Sequence, residues 1–327
     1  MARKDFENKL NTTIRFHSYG GPEVLEVEDD PDIGLPGAGQ VRLRHLAIGV
    51  NFIDTMFRQG VFAVPLPSIP GVEGVGVIEA VGAGVDKLQE GQRVAYYLAP
   101  GSYTHTRHVD AAALVAVPDD LGAEQIAAVL TKGLTAWAGL NGYHQLQPGQ
   151  TVLVQGASSG VGSLLARWAK ARGATVIGTA GSDAKRAALA GAIDHVLASD
   201  AADLPAQLLK LAPGGVDVVY EFVGKATFDA SLAAVKDGGT IVSIGAASGA
   251  PNVDKDAVAR RGLKMVGGPM ATHLAGRVEQ ATDDVFTALR TGVFGEVAVT
   301  RYALRDAAKA HEDIASRAKT GSLVLLP

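Results

Sequence analysis

The chain has 327 residues, 47% of them hydrophobic and 20% charged, which allows a large core and suits two domains better than one. Its formal net charge of −4 leaves no electrostatic footprint for nucleic acid. It has no cysteine, which excludes disulfides and thiolate metal ligands and fits a reducing cytoplasm, and no apolar run approaches the roughly 20 residues that span a bilayer.

In chain order, residues 1–11 are charged, lack an apolar signal core, and read as a loose extension before the first strand. Short β-like runs separated by Gly/Pro turns follow at 24–27, 40–48, 74–81 and 93–97, a spacing that predicts a small barrel-like β domain. From Thr151 the pattern changes. Strands are predicted at 152–155, 175–179, 195–197, 216–220 and 239–244, with helices at 160–172, 183–190, 202–211 and 225–236 between them. That is the doubly wound α/β pattern with a parallel sheet. Residues 262–267 read as a further strand at the sheet edge. The alternation stops near Thr272. A helix over 277–291, a tail containing 307–319 and a strand at 322–326 follow. One further strand cannot form a domain alone, so the tail is expected to return to the first domain. The expected boundaries are therefore 12–135 with 273–327 for a β-rich catalytic domain, and 136–272 for an inserted nucleotide domain. A cleft between the two is the expected ligand site.

The stretch 151–162, TVLVQGASSGVG, carries the most chemistry. A buried strand breaks into a turn of small residues, Gly156, Ala157, Ser158, Ser159, Gly160, Val161 and Gly162, and a helix follows. Small residues let the backbone approach a pyrophosphate, and the helix N-terminus offers free N–H groups. The strand at 175–179 completes the βαβ unit. An NAD site carries a carboxylate near the end of that second strand. Here the tip presents Gly181 and Ser182, with Lys185 and Arg186 within one turn, a hydroxyl and cations suited to a 2′-phosphate. NADPH is the expected cofactor; the competing reading puts Lys185 and Arg186 on a solvated helix face with Asp183 as its cap. Phe222, Val223 and Gly224 follow one strand and Gly245 ends another, where ligands gather outside strand carboxyl ends. Their alternative role is a core-to-turn transition. Asn51 and Asp54 follow the run at 40–48. Asn51 can bond an acceptor oxygen or hold a water, or serve as a turn residue bonding its own backbone; Asp54 can line the same pocket or hold a neighbouring loop.

Several separated motifs resemble one family. They are Gly20-Gly-Pro-Glu-Val-Leu25, Val50-Asn-Phe-Ile-Asp54, Pro70-Gly-Val-Glu-Gly-Val-Gly76, Lys132-Gly-Leu-Thr135, Gln155-Gly-Ala-Ser-Ser-Gly-Val-Gly162 and Gly321-Ser-Leu-Val-Leu325. In this order they resemble the zinc-free quinone oxidoreductase (zeta-crystallin-like) branch of the medium-chain dehydrogenase/reductase superfamily. The resemblance implies a GroES-like β domain, a Rossmann domain, NADPH, and hydride transfer to a quinone or conjugated carbonyl. It also implies a homodimer formed at Rossmann sheet edges. Zinc-dependent relatives have a histidine where this chain has Val72 and a cysteine where it has Asn51, so no tetrahedral N/S set remains. His105 and His108 lack a third ligand. Thr135 matches a threonine that approaches the nicotinamide amide, and Lys132 is placed to orient the same ring or the ribose. Ser199 falls near the tyrosine that helps bind the 2′-phosphate, and Arg317 is placed to reach the cofactor from the tail. Met56 and Phe62 stand where close relatives carry tyrosines, which turns a polar wall apolar.

Three alternatives follow. The glycine turn also resembles short-chain dehydrogenases, but those need Tyr-x-x-x-Lys, and no tyrosine here has a lysine four residues later. An enoyl or alkenal double-bond reductase would use the same hydride geometry. A non-catalytic NADPH-binding sensor would keep the cofactor site alone.

Overall fold

A computed structural model describes residues 10–316 and 321–327, and the chain divides into two compact units, Met1–Thr131 with Val297–Pro327, and Lys132–Glu296. The first unit opens with β1 (Asn11–Arg15) paired antiparallel to β2 (Glu26–Asp30). Asn11 therefore belongs to a strand and not to a loose extension. Its buried side chain brackets Thr106, donating to the carbonyl at 2.9 Å and accepting from the amide at 2.8 Å. The run expected as a strand at 24–27 splits, because Pro22 starts a 3₁₀ turn over Pro22–Val24 before β2 begins. Then come β3 (Gln40–Val50), α1 (Phe52–Arg58), β4 (Gly74–Val81), β5 (Arg93–Tyr96), β6 (Thr106–Asp110) and β7 (Leu114–Ala116). Helix α2 (Ala123–Ala138) follows. Strand β3 is the hub: it pairs antiparallel with both β4 and β6, with two register shifts along β4 that bend it. Val41, Leu43, Ile78, Val94, Tyr96 and Val109 fill the core behind it.

The second unit alternates strand and helix: β8 (Thr151–Gln155), α3 (Gly160–Ala171), β9 (Thr175–Ala180), α4 (Asp183–Ala187), β10 (His195–Ala198), α5 (Leu204–Leu211), β11 (Val216–Glu221), α6 (Phe228–Ala234), β12 (Val235–Ser243), α7 (Lys255–Arg260) and β13 (Lys264–Val266). The strand order is β10-β9-β8-β11-β12-β13, and every pairing is parallel. That is the dinucleotide-binding order, with its switch point between β8 and β11. Val152, Leu153 and Val154 are all fully buried, as expected where helices cover both faces of a sheet. Two helices close the unit, the short α8 (Met270–Leu274) and the longer α9 (Val278–Arg290). Helix α9 buries Ala281, Val285, Phe286 and Ala288, and its Asp284 accepts from the Trp137 indole N–H at 2.7 Å. The division thus falls at 296/297 where the sequence pattern put it at 272/273, because α9 packs within the nucleotide unit. It falls at 131/132 and not 135/136, so Lys132 and Thr135 belong to the second unit.

The chain then rejoins the first unit through β14 (Val299–Ala303), α10 (Ala307–Ser316) and β15 (Ser322–Leu326). The large sheet runs β14-β15-β3-β4-β5-β7, with β15 antiparallel to β3 through Leu323 and Val50. Ile14, Phe16, Ile48, Val50, Tyr103, Leu304, Ala310, Leu323 and Leu325 form the core that α10 covers.

Candidate dinucleotide and acceptor site

The turn after β8 is built for close approach. Gly156 has φ +73°, in the left-handed region that favours glycine. A Cβ on Gly162 would fall 2.3 Å from the Gly156 carbonyl oxygen. Ser159 caps α3, its hydroxyl accepting from the Gly162 amide at 3.0 Å. The Ala157 amide is tied back to the Thr179 carbonyl at 2.9 Å, which joins the turn to β9. The hydroxyl of Ser158 and the side chain of Val161 complete the segment singled out in the sequence.

Beneath this turn lies a buried polar chain across the strand ends, which the sequence reading did not name. Thr179 donates to Gln155 Oε1 at 2.6 Å, and Gln155 Nε2 donates to Ser231 Oγ at 3.1 Å. Ser231 donates to Glu221 Oε2 at 2.7 Å. The other Glu221 oxygen collects the amides of Val223 at 2.8 Å and Gly224 at 2.9 Å and the Thr227 hydroxyl at 2.8 Å. Glu221 is fully buried. A carboxylate that accepts several N–H and O–H bonds fixes the path of the loop that carries them. Phe222, Val223 and Gly224 are therefore held from below. They are also held from the side: Ser248 donates to the Val223 carbonyl from both its amide and its hydroxyl, each at 2.7 Å. Gly245 packs so tightly that a Cβ there would lie 2.6 Å from the Phe222 carbonyl oxygen.

Ser182 caps α4 and accepts from the Lys185 amide at 3.4 Å. Ser199 joins this corner, since its amide bonds the Ala180 carbonyl at 3.1 Å and its hydroxyl lies 3.5 Å from where a Gly181 Cβ would be. Asp183, the residue that argued against a 2′-phosphate, is exposed and paired to Arg186. Lys132 is largely buried, its stem packed over the first residue of α3: a Cβ on Gly160 would meet its Cδ at 3.0 Å. Thr135 donates to Met270 Sδ at 3.0 Å. Arg317 lies outside the described residues.

In the first unit, Asn51 is the N-cap of α1. Its Nδ2 donates to Glu73 Oε2 at 2.7 Å, and Glu73 Oε1 accepts from the Thr131 amide at 2.7 Å. A carboxylate only accepts, so the Asn51 amide must turn its nitrogen toward Glu73. Asp54 Oδ2 accepts from the Asn51 amide at 2.9 Å and from the Tyr103 hydroxyl at 3.1 Å. Asp54 has 0% exposed surface, so it holds the start of α1 instead of facing a pocket. Tyr103 also meets His311 Nε2 at 3.0 Å, and Arg58 Nη1 meets His311 Nδ1 at 3.1 Å. Burial holds His311 down to about 3, and the Arg58 charge acts in the same direction. Burial, and then the Asp54 charge, push Tyr103 well above its usual range. His45 forms a second buried pair, between the Thr104 carbonyl and the Tyr96 hydroxyl at 2.6 Å each; burial takes it to about 3 and Tyr96 up to about 12. Met56 is half-buried and Phe62 is 46% exposed, its ring tilted on Phe57 at 5.8 Å.

The donor set near Asn51 does not fit zinc. Val72 is buried and has no ligand atom, and the Asn51 nitrogen is spent on Glu73. His108 meets the Gly34 carbonyl and His105 the Thr106 hydroxyl. Among the described residues, His17, Glu26 and Glu28 are grouped closely enough to hold an ion, on the surface around β2.

A β unit and a parallel nucleotide unit of this order define a medium-chain dehydrogenase/reductase. Residues 37–119 match the alcohol dehydrogenase GroES-like domain and residues 160–286 the zinc-binding dehydrogenase family. The chain is 39% identical to a quinone oxidoreductase of Pseudomonas aeruginosa over 96% of its own length and 99% of that protein's. It is 35% identical to a 2-haloacrylate reductase of Burkholderia, over 95% and 97%. The crystal structure of Escherichia coli quinone oxidoreductase complexed with NADPH superposes with a TM-score of 0.91 at 34% identity, covering 97% of this chain and all of that one. The chain belongs to the quinone oxidoreductase branch of the medium-chain dehydrogenase/reductase superfamily, and it is an oxidoreductase.

Proposed function

We propose that this protein is an NADPH-dependent reductase that works without a metal and passes a hydride to a quinone or a conjugated carbonyl. One observation carries the cofactor side: a glycine turn that a single Cβ would fill, at the switch point of a parallel sheet. Turn amides from Gly156 to Gly162 hold the pyrophosphate, and Ser182, Lys185 and Ser199 receive the 2′-phosphate. Lys132, Thr135, Phe222, Val223, Gly224 and Gly245 orient the nicotinamide end. NADPH supplies the hydride and the acceptor takes it with a proton, giving a hydroquinone or a saturated carbonyl. Asn51, anchored by Glu73, faces the acceptor, with Met56 and Phe62 as its apolar wall.

The second reading, reduction of a C=C bond conjugated to a carbonyl, is favoured by the likeness to 2-haloacrylate reductase. An NADPH-oxidation panel of ortho- and para-quinones, 2-alkenals and 2-haloacrylate decides between the two. Quinone turnover that survives exhaustive chelation is expected. Alkenal or haloacrylate turnover without quinone turnover overturns the first reading, and activity lost with a stoichiometric metal overturns metal independence. The same reading makes the protein a cytoplasmic homodimer joined at β13, the edge of the parallel sheet. A monomer mass by light scattering contradicts that assembly. No helix among the described residues is long and apolar enough to cross a membrane.

A further inference from the structure

Helix α1 carries Asn51 at its cap and Met56 along its length, and the amides of Val61 and Phe62 both bond the Met56 carbonyl. Every acceptor-side residue named above therefore depends on where this seven-residue helix sits. So short a helix has little stability of its own. Asp54 and Arg58, four residues apart, lie on one face of it. Both are buried, and the bonds described above join them into a ring through Tyr103 and His311.

The bonds in this ring have one direction only. Arg58 has no lone pair to offer, so its N–H donates and His311 Nδ1 accepts. The His311 proton must then be on Nε2, which donates to the Tyr103 oxygen. Tyr103 spends its own proton on Asp54, the same oxygen that accepts the Asn51 amide. Arg58 completes the anchorage by donating to the Gly20 carbonyl at 3.1 Å. Removing His311 takes the acceptor from the Arg58 N–H and the donor from the Tyr103 oxygen, and removing the Tyr103 hydroxyl strands the His311 N–H and leaves Asp54 one donor fewer.

We propose that His311, on helix α10 of the returning tail, is a positioning residue for the acceptor site, acting through Tyr103 and Asp54 on the cap of α1. The inference rests on the reading that Asn51, Met56 and Phe62 meet the acceptor. The tail thus serves the site by clipping α1 in place.

The test uses the full-length protein with Tyr103→Phe, which keeps the ring and removes both hydroxyl bonds, and with His311→Leu and His311→Gln. In Tyr103→Phe and His311→Leu, amide exchange over residues 52–58 rises about tenfold while exchange over 151–171 is unchanged. The acceptor KM rises about tenfold, and the NADPH KM stays within about twofold. His311→Gln, whose amide N–H can still donate to Tyr103, restores both readouts toward the parent. Unchanged exchange over 52–58, or acceptor and NADPH KM values rising in step, overturns the proposal. If the parent reduces no acceptor, the functional reading fails by itself, and the exchange measurement still decides whether the clip exists.

Discussion

Replacing Glu221 by alanine and by glutamine distinguishes a carboxylate that organises the nucleotide unit from one that merely occupies it. Four donors converge on Glu221: the amides of Val223 and Gly224 and the hydroxyls of Thr227 and Ser231. Alanine removes that acceptor from all four, and the Thr227 hydroxyl keeps another in the Gly224 carbonyl at 3.4 Å. The Val223 amide is half-buried and can recover a water, but the Gly224 amide and the Ser231 hydroxyl are buried. At about 1–3 kcal/mol for each buried unsatisfied donor, Glu221→Ala costs at least about 2 kcal/mol. Glutamine keeps one oxygen for the three donors on Oε1 and turns an amide toward Ser231, whose oxygen accepts it while its own proton loses its acceptor. The bonds become neutral and weaker, yet a buried carboxylate no longer has to be desolvated. Those terms oppose each other, so Glu221→Gln costs only about 1 kcal/mol. Both tryptophans, Trp137 and Trp168, lie in this unit, so denaturant unfolding followed by fluorescence reports on it directly. A loss below about 1 kcal/mol for alanine, or equal losses for the two variants, refutes the argument.

Lys185→Ala should weaken NADPH by about 1–3 kcal/mol and leave NADH nearly unaffected, as measured by cofactor fluorescence titration; equal losses would remove Lys185 from the 2′-phosphate. Acid stability provides a third check. Burial, helped by neighbouring arginines, holds His45 and His311 at about 3, far below the ordinary 6.5. The unfolded chain takes up those protons near 6.5 and the folded one only near 3. Stability is thus complete above 6.5 and falls as pH drops toward 3, by up to about 1.4 kcal/mol per pH unit for each histidine. His45→Gln should flatten that limb between about pH 4 and pH 7, and an unchanged slope would sink the assignment.

The parallel sheet was legible because most of its strands carry an apolar run with a glycine close by, and the turn at Gly156 declared its own chemistry. Sequence pattern missed what depends on distant partners. β1 hides in a polar segment because its buried Asn11 and Thr13 are satisfied by Thr104 and Thr106, some 90 residues on. Gln155 and Glu221 did leave a trace, each a polar residue closing an otherwise buried strand, but their common partner Ser231 sits on α6 and no local spacing points to it. Asn51 stood out in the sequence for its place after β3. Its tie to Glu73 was invisible, although Glu73 lies in one of the motifs. His311 drew no attention in the tail, because it is a histidine whose meaning lies in Tyr103 and Arg58.

The position of β15 between β14 and β3 has a consequence for how the molecule assembles. Val50 waits for Leu323, so one flank of β3 stays open while some 270 residues are synthesised. The nucleotide unit is continuous in sequence and can collapse during that interval; the β unit cannot be completed. An uncovered strand end of this kind is where a chaperone binds or a second chain pairs wrongly. Losing the last strand would leave a well-formed nucleotide unit attached to a sheet with a permanently exposed edge. Aggregation is the expected mark of losing the last strand.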